Sequence, residues 1–256
     1  MNLPLAGRGI LVTRPTEQSD NLAKKIRDAG GEAIIFPAME IVPVRDEVLA
    51  QRIAQLPTYD AAIFISPNAV HHGLAAIDAP HEWPEQVRIY ALGPGTARAL
   101  RHHGLQKVIV PDGQDSEALL ALPSLCAVNH QRIVIFRGVS GRALLAETLR
   151  ARGATVDYAE CYRRIRPDSD AGPIIARWSV GEIHAVTINS AETLHNLASM
   201  LGDAGVAYLR ATPVFAPHEK IAQSARALGI DDVVATAAGD AGLLDGLMTW
   251  FQRMHE

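Results

Sequence analysis

Short apolar runs alternate with amphipathic segments along the whole chain. Residues 9–13 form a continuous apolar run, which predicts a strand buried on both faces of a parallel sheet. Residues 18–29 carry apolar side chains at helical spacing and end before Gly30, which predicts a helix with a glycine stop. Residues 33–36 predict the next strand. The order of strand, helix and strand is typical of a βαβ unit.

The same alternation continues through the middle of the chain. Each of these later strands is followed directly by a turn and a helix. Predicted strands occupy residues 61–65, 89–92, 108–110 and 132–136, and predicted helices occupy residues 69–77, 97–102 and 116–122. Ser66 or Asn68 is expected to cap the helix at residue 69, and Asp115 or Ser116 the helix at residue 116. These segments extend the α/β pattern.

The pattern of the first half returns in the second half. Residues 10–14 match residues 133–137, and the offset grows only from roughly 123 to 125 residues along the chain. Further matched pairs are Gly30 with Gly153, Met39 with Tyr162, Ser66 with Ser190, and Gly104 with Gly229. So long a match indicates an internal duplication, with a tandem cut near residues 127–131. The sequence therefore predicts two similar α/β domains.

Each predicted domain is a doubly wound parallel sheet, flavodoxin-like or Rossmann-like. Ligands of such sheets lie beyond the carboxyl ends of the strands, so two domains can face each other across a cleft. Two extended stretches, residues 36–44 and 157–167, follow the first helix of each repeat. We interpret them as a pair of connectors between the domains, and Tyr162 lies on the second.

Composition limits the classes of function. The chain has 256 residues, 48% of them apolar, and a formal net charge of −4. This composition suits a globular protein of two domains and provides no general basic field for nucleic acid or an anionic membrane. No apolar run is long enough to span a bilayer, and Pro4, Gly7 and Gly9 interrupt any signal peptide. We expect no nucleic-acid or membrane partner.

Cofactor and metal signatures are missing as well. Only Cys126 and Cys161 occur and no CxxC pair exists, which excludes a disulfide framework or a thiolate zinc site and predicts a cytoplasmic protein. Residues 93–95 lack the third glycine of the dinucleotide fingerprint, and no P-loop, GxSxG or HExxH motif is present. The histidine pairs at residues 71–72 and 102–103 are expected at the surface. The sequence thus predicts neither cofactor nor metal.

The turns between strands and helices carry the candidate chemistry. Backbone N–H groups at the start of a helix bind anionic groups, and nearby arginines add positive charge. Residues of this kind are Thr13, Arg14, Ser66, Asn68, Ala69, Gly93, Gly95, Thr96, Arg137, Gly138, Arg142, Asn189, Ser190, Ala191, Glu192, Pro217 and His218. Taken singly, each hydroxyl is also explained by helix capping and each arginine by a salt bridge. Together they predict a site for a polyanionic ligand.

The chain resembles the uroporphyrinogen-III synthase family over essentially its whole length. The order and spacing of seven short motifs carry the resemblance, together with the internal duplication. The motifs are G-I-L-V-T-R-P, F-P-A-M-E-I-V-P, F-I-S-P-N-A-V, A-L-G-P-G-T-A, R-G-V-S-G-R, R-G-A-T-V-D-Y-A-E-C-Y-R-R and N-S-A-E-T-L-H-N-L.

The resemblance implies an architecture and a reaction. The architecture is two domains joined by a two-stranded β-ladder (residues 38–44 and 157–167), with one domain at residues 1–37 plus 168–256 and the other at 45–156. The reaction is the cyclisation of hydroxymethylbilane to uroporphyrinogen III, with loss of water, inversion of ring D and no cofactor. Tyr162 would assist departure of the hydroxyl as a proton donor. We also expect a monomer that receives its substrate from hydroxymethylbilane synthase.

Some alternatives stay open at this point. Tyr162 could pack its ring between the domains without a chemical role, and Tyr158 is the competing aromatic on the same connector. Many family members carry a Thr-Thr pair where this chain has His218 in the turn. A non-catalytic two-domain module for a small polyanion and a nucleotide-sugar glycosyltransferase are the competing classes of function, and fold alone does not separate them.

Overall fold

The computed structural model describes residues 3–77 and 83–253. The chain divides into two compact units. Unit 1 comprises Met1–Glu40 and Ile165–Glu256, and unit 2 comprises Ile41–Arg164. The chain therefore passes from one unit to the other twice, and the two boundaries fall at the start of one strand and at the end of another.

Eleven strands and eleven α-helices are numbered here in chain order within the described residues. The strands are β1 Gly9–Val12, β2 Glu32–Ile35, β3 Glu40–Pro43, β4 Ala61–Phe64, β5 Arg88–Ala91, β6 Val108–Ile109, β7 Arg132–Gly138, β8 Thr155–Ile165, β9 Ala185–Thr187, β10 Val214–Ala216 and β11 Val233–Ala235. The helices are α1 Asp20–Asp28, α2 Glu47–Ala54, α3 Pro67–Leu74, α4 Pro94–His102, α5 Ser116–Leu120, α6 Pro123–Cys126, α7 Leu144–Ala151, α8 Gly172–Ser179, α9 Ala191–Arg210, α10 Glu219–Ala227 and α11 Gly239–Arg253.

Unit 1 contains a five-stranded parallel sheet in the order β11-β10-β9-β1-β2. Counted from β1, this is the flavodoxin order 2-1-3-4-5. Leu11 belongs to the apolar core on one face, whereas Ile10 and Val12 belong to the core on the other. Both faces of the sheet are therefore covered, which explains why β1, Gly9–Val12, has no polar side chain.

Unit 2 contains a six-stranded sheet in the order β3-β8-β7-β4-β5-β6. The five strands from β8 to β6 pair in parallel. Phe64 and Phe136 stack in one core, with ring centroids 4.4 Å apart, and Ile63 and Ile135 belong to the core on the opposite face. The predicted doubly wound parallel architecture is confirmed.

The two sequence repeats do not coincide with the two units. Strands β1 and β2 match β7 and β8 in the repeat, and β4 to β6 match β9 to β11. Unit 1, however, joins β1 and β2 to β9, β10 and β11, whereas unit 2 joins β7 and β8 to β4, β5 and β6. Each sheet thus takes two strands from one repeat and three from the other, and a tandem cut near residues 127–131 would divide unit 2.

The two connectors are neighbours in unit 2. Strands β3 and β8 lie side by side in the six-stranded sheet, and the backbone N–H of Val44 donates to the carbonyl of Cys161 at 3.0 Å. Among the described residues, strand β3 has no counterpart in the sheet of unit 1. Strand β3 covers residues 40–43 of the first connector and β8 covers residues 157–165 of the second, so the predicted extended conformation is seen over those residues.

Several predicted bounds needed adjustment. The helix expected from residue 18 begins as a short 3-10 turn at Thr16–Gln18, and the α-helix starts at Asp20. Helix α3 starts earlier than expected because Ser66 is its N-cap, with Pro67 in the first helical position. Asp115 rather than Ser116 caps α5. No helix within the described residues is long and apolar enough to cross a membrane.

Candidate functional site

The carboxyl ends of parallel strands in unit 2 bring several predicted residues to one edge of its sheet. Ser66 follows β4 in an extended conformation, and its Oγ accepts a hydrogen bond from the N–H of Ala69 at 3.1 Å. Asn68 lies in the same first turn of α3. The capping alternative therefore applies to Ser66, but its hydroxyl makes a second contact.

That second contact is with Tyr162. The two hydroxyl oxygens, Tyr162 Oη and Ser66 Oγ, lie 3.2 Å apart. Tyr162 is only 4% exposed. A Cβ atom at Gly138 would come within 2.9 Å of the Tyr162 ring, so glycine at this position lets the ring lie against β7. The structure thus brings Tyr162, Ser66 and Gly138 together.

A β-bulge decides where Tyr162 points. Arg137 pairs with Glu160, but the next residue, Gly138, pairs with Tyr162, so Cys161 is an extra residue in β8. Cys161 and Tyr162 consequently both join the core next to α3, whereas Tyr158 packs against the core on the opposite face. Regular alternation would have put Tyr158 and Tyr162 on the same face.

The end of β7 carries a buried arginine without a carboxylate. Arg137 is 5% exposed, its Nε donates to the carbonyl of Gly138 at 3.0 Å, and its guanidinium lies over the Tyr158 ring, 4.6 Å from the centroid. No acidic side chain among residues 3–77 and 83–253 forms an ion pair with it. Arg137 also lines a cavity of about 160 Å³ with Arg142, Tyr158 and Ser116.

The turn after β5 presents backbone rather than side chains. Gly93 is the N-cap of α4 in an extended conformation and offers no side-chain cap, and Pro94 occupies the first helical position. Thr96 is buried within the helix, while Gly95 is partly exposed. Anion binding through the amide groups of this turn stays a prediction.

In unit 1, the polar side chains of the turn after β1 already have partners within the protein. Thr13 is fully buried, and its hydroxyl donates to the carbonyl of Thr187 at 2.7 Å. Arg14 forms an ion pair with Asp240, with Nη1 and Oδ1 2.6 Å apart, and Asn21 also donates to Asp240. The salt-bridge alternative therefore applies to Arg14.

The turn after β9 repeats the serine cap of unit 2. Ser190 accepts from the N–H of Thr193 at 3.0 Å, and Asn189 Oδ1 accepts from the Thr193 hydroxyl at 2.8 Å. Ala191 and Glu192 form the first turn of α9. This cluster is polar and only partly buried at Asn189 and Ser190.

The turn after β10 is the least organised of the predicted set. His218 is the N-cap residue of α10 in an extended conformation, but its side chain makes no capping hydrogen bond. It is exposed, and Pro217 is partly buried before it. The imidazole is thus accessible to solvent.

Three of the four paired histidines lie at the surface, as the sequence predicted. His71, His102 and His103 are exposed, but His72 is only partly so and its ring lies 5.8 Å from that of Tyr162. Among the described residues no three His, Cys, Asp or Glu side chains form a group able to hold a metal ion. Burial raises the pKa of the Cys161 thiol to about 12.

Sequence reasoning missed the partners of these groups. Alternation and motif spacing gave no sign that Tyr158 lies under Arg137 or that Asp240 pairs with Arg14, because each contact depends on tertiary packing. The repeat supplied one usable signal, since Arg14 and Arg137 occupy matched positions.

Known proteins match the chain over most of its length. A family model described as "Uroporphyrinogen-III synthase HemD" matches residues 20–245. The uroporphyrinogen-III synthase of Escherichia coli is 34% identical and that of Salmonella typhimurium 35%; each alignment covers 93% of this chain and 99% of the relative.

Solved structures share the fold. A mutant uroporphyrinogen III synthase from Thermus thermophilus superposes with a TM-score of 0.64 at 18% identity, over 96% of this chain and 99% of that one. The enzyme from Helicobacter pylori gives a TM-score of 0.59 at 14% identity, over 96% and 99% of the two chains. At these identities the likeness supports the two-domain α/β fold alone.

Proposed function

The chain belongs to the uroporphyrinogen-III synthase family, and from that premise we propose how its own residues act on the substrate. The protein is a cyclising lyase of tetrapyrrole biosynthesis. It converts hydroxymethylbilane, a linear tetrapyrrole with carboxylate arms, into uroporphyrinogen III with loss of water and inversion of ring D.

Tyr162 is proposed as the proton donor for the first step. Loss of the hydroxymethyl oxygen as water requires a proton at that oxygen, and a hydroxyl donor within hydrogen-bonding distance lowers the barrier. The supporting observation is the pair of hydroxyls on Tyr162 and Ser66, 3.2 Å apart. Ser66 holds the phenol at the edge of the sheet. The orientation of the serine is itself set because its Oγ caps α3 by accepting from the N–H of Ala69.

The later steps are proposed to depend on position. Departure of water leaves an azafulvene, and ring D attacks its methylene carbon through a substituted ring carbon to form a spiro intermediate. Breaking and remaking of the bond to ring D then inverts that ring, and the macrocycle closes with loss of a proton. A site that holds both reacting ends favours this path over direct closure to the uninverted isomer.

The carboxylate arms are proposed to bind at strand-to-helix turns. In unit 2, Arg137 supplies a positive charge with no internal counter-ion, and Arg142 lines the same cavity. In unit 1, Arg14 already has a counter-ion, so there we assign binding to backbone N–H groups of the turns at residues 189–192 and 217–218. Since the charge on a carboxylate is matched by amides and guanidinium groups, the proposal needs no cofactor.

Assembly and location are part of the same proposal. We infer that the protein acts as a cytoplasmic monomer and takes its substrate from hydroxymethylbilane synthase. Size-exclusion chromatography with light scattering tests whether the protein is a monomer. A pull-down with hydroxymethylbilane synthase tests whether the two proteins associate.

A product assay tests the function. Purified protein is mixed with freshly generated hydroxymethylbilane, the products are oxidised, and the type I and type III isomers are separated. We expect mainly type III without added metal or nucleotide. Only type I, as in a blank without protein, would overturn the assignment and leave a polyanion-binding module as the alternative.

A further inference from the structure

Three arginines and one tyrosine form a cluster at the end of β7. Arg137 lies over the Tyr158 ring at 4.6 Å from the centroid, and Arg150 lies over the same ring at 5.5 Å. Arg142 lines the cavity that Arg137 and Tyr158 share. Arg150 is tied to β8 because its Nη2 donates to the carbonyl of Val156 at 2.6 Å.

Arg137 is unusual because it is buried and charged without a counter-ion. A charged side chain removed from water normally has an acidic partner, since desolvation is costly. Arg137 is 5% exposed, and the hydrogen-bond and ring partners of its guanidinium within the described residues are the Gly138 carbonyl and the Tyr158 ring. Neither contact neutralises its charge, so the guanidinium would attract an anion to this cavity, although Ile65, Leu92 and Leu145 make part of its lining apolar.

The loop that follows β7 also makes room for this guanidinium. Gly141 has φ of 145°, and a Cβ atom there would come within 2.7 Å of Arg137 Nη2. Any other residue would be strained at this backbone conformation and would press on the guanidinium. The tyrosine ring on one element and the glycine on another therefore define where the charge is held.

We propose that Tyr158 is a positioning residue, which holds the Arg137 guanidinium beside the cavity so that it binds one carboxylate arm of the substrate. The ring stabilises the cation through its quadrupole and leaves its charge in place, whereas an acidic partner would neutralise that charge. The proposal rests on the proposed function for the identity of the anion. The bulge at Cys161 makes it possible, since it leaves Tyr158 on the face opposite to Tyr162.

Four variants of the full chain test the proposal: Tyr158→Leu, Tyr158→Phe, Arg137→Gln and the double variant Tyr158→Leu/Arg137→Gln. Binding is measured by fluorescence with uroporphyrin III, a stable octacarboxylate, and turnover by KM and kcat for hydroxymethylbilane. We expect Tyr158→Leu to raise both Kd and KM about fivefold with kcat nearly unchanged, as loss of one cation–π contact implies. Tyr158→Phe keeps the ring and should behave as wild type.

The double variant separates positioning from general damage. If Tyr158 acts through Arg137, adding Tyr158→Leu to Arg137→Gln should change Kd no further. Equal weakening in both backgrounds, or an unchanged Kd in Tyr158→Leu, would overturn the proposal. Tyr208→Leu, an exposed tyrosine of unit 1, is the matched control and should bind normally.

Failure of the proposed function and failure of this inference give different results. Without type III product from the wild-type protein, the function fails, yet the uroporphyrin III measurements still report on Tyr158. If Tyr158→Leu does not fold, Gly141→Ala replaces it, because it displaces the guanidinium and leaves the ring in place. A normal Kd in that variant would then contradict the proposal.

Discussion

The same turn occurs twice in this chain, after β1 and after β7, and its arginine has a different partner in each copy. Arg14 in unit 1 is paired with Asp240, which lies in the first turn of α11. Arg137 in unit 2 is more deeply buried and rests on an aromatic ring. Asp115, which matches Asp240 in the repeat, instead caps α5. One copy of the arginine therefore has a counter-ion within the protein, whereas the other is the copy that we propose as a ligand-binding charge.

The two connectors also differ at matched positions, and again the polar group is in the unit 2 copy. Tyr162 on β8 corresponds to Met39 before β3, and both side chains are buried. The serine caps of the two copies are nearly identical, since Ser66 and Ser190 each bind the N–H three residues later at 3.0 to 3.1 Å. The duplication has therefore preserved the elements of structure in both copies, and the tyrosine proposed as proton donor lies only on the unit 2 copy of the connector.

The largest expected effect comes from Tyr162→Phe. Removal of the phenolic hydroxyl should lower kcat about a hundredfold, the usual contribution of a general acid, while the ring still packs against Gly138. The isomer assay and the circular dichroism spectrum measure activity and fold. Met39→Leu at the matched position should leave kcat unchanged, because it conserves volume. Wild-type turnover in Tyr162→Phe would remove the proton-donor role.

The two arginines should respond in opposite ways. Arg14→Gln breaks a mostly buried ion pair and leaves the Asp240 carboxylate without its cationic partner, so the free energy of unfolding should fall by about 2 kcal/mol. Arg137→Gln removes an uncompensated charge, so stability should change by less than about 1 kcal/mol while KM rises about tenfold. Urea denaturation and steady-state kinetics measure both quantities. Equal losses of stability would contradict the distinction between the two turns.

The two serine caps give a smaller contrast. Ser66→Ala and Ser190→Ala should each lower the free energy of unfolding by about 1 kcal/mol through loss of a cap. Only Ser66→Ala also removes a partner of the Tyr162 hydroxyl. The fall in kcat should therefore be several-fold larger in Ser66→Ala than in Ser190→Ala. Thermal denaturation checks the first expectation and initial rates check the second. Parallel losses of activity would argue against coupling between Ser66 and Tyr162.

The smallest expected effect is at His130. This residue has φ of 64°, whereas Gly7, its match in the other repeat, has φ of 71°. A left-handed conformation is strained for histidine but not for glycine, so His130→Gly should raise the free energy of unfolding by about 0.5 kcal/mol. Gly7→His should lower it. Urea midpoints of the pair measure the effect, and a loss of stability in His130→Gly would show that its side chain makes a compensating contact.

Much of the local structure could be predicted because it depends on near neighbours in the chain. Buried strands appear as apolar runs, and a serine that caps a helix lies only three residues from the N–H it binds. The duplication was visible because glycines with positive φ recur in both copies, as at Gly30 and Gly153. The positions of the turns predicted as anion sites could be found from these same local patterns. Their role in binding stays a prediction.

The sequence by itself determined the alternation of strands and helices, the duplication and the family resemblance, although it gave no prediction of helices α2 and α8. Only the tertiary structure decided which strands share a sheet, since each sheet combines strands from both repeats. It also decided that Arg14 has a counter-ion while Arg137 lies on Tyr158, and that a bulge turns Tyr162 toward Ser66. The physical reason is that strand register and side-chain partners depend on groups far apart in sequence, whereas periodicity and capping depend on groups a few residues apart.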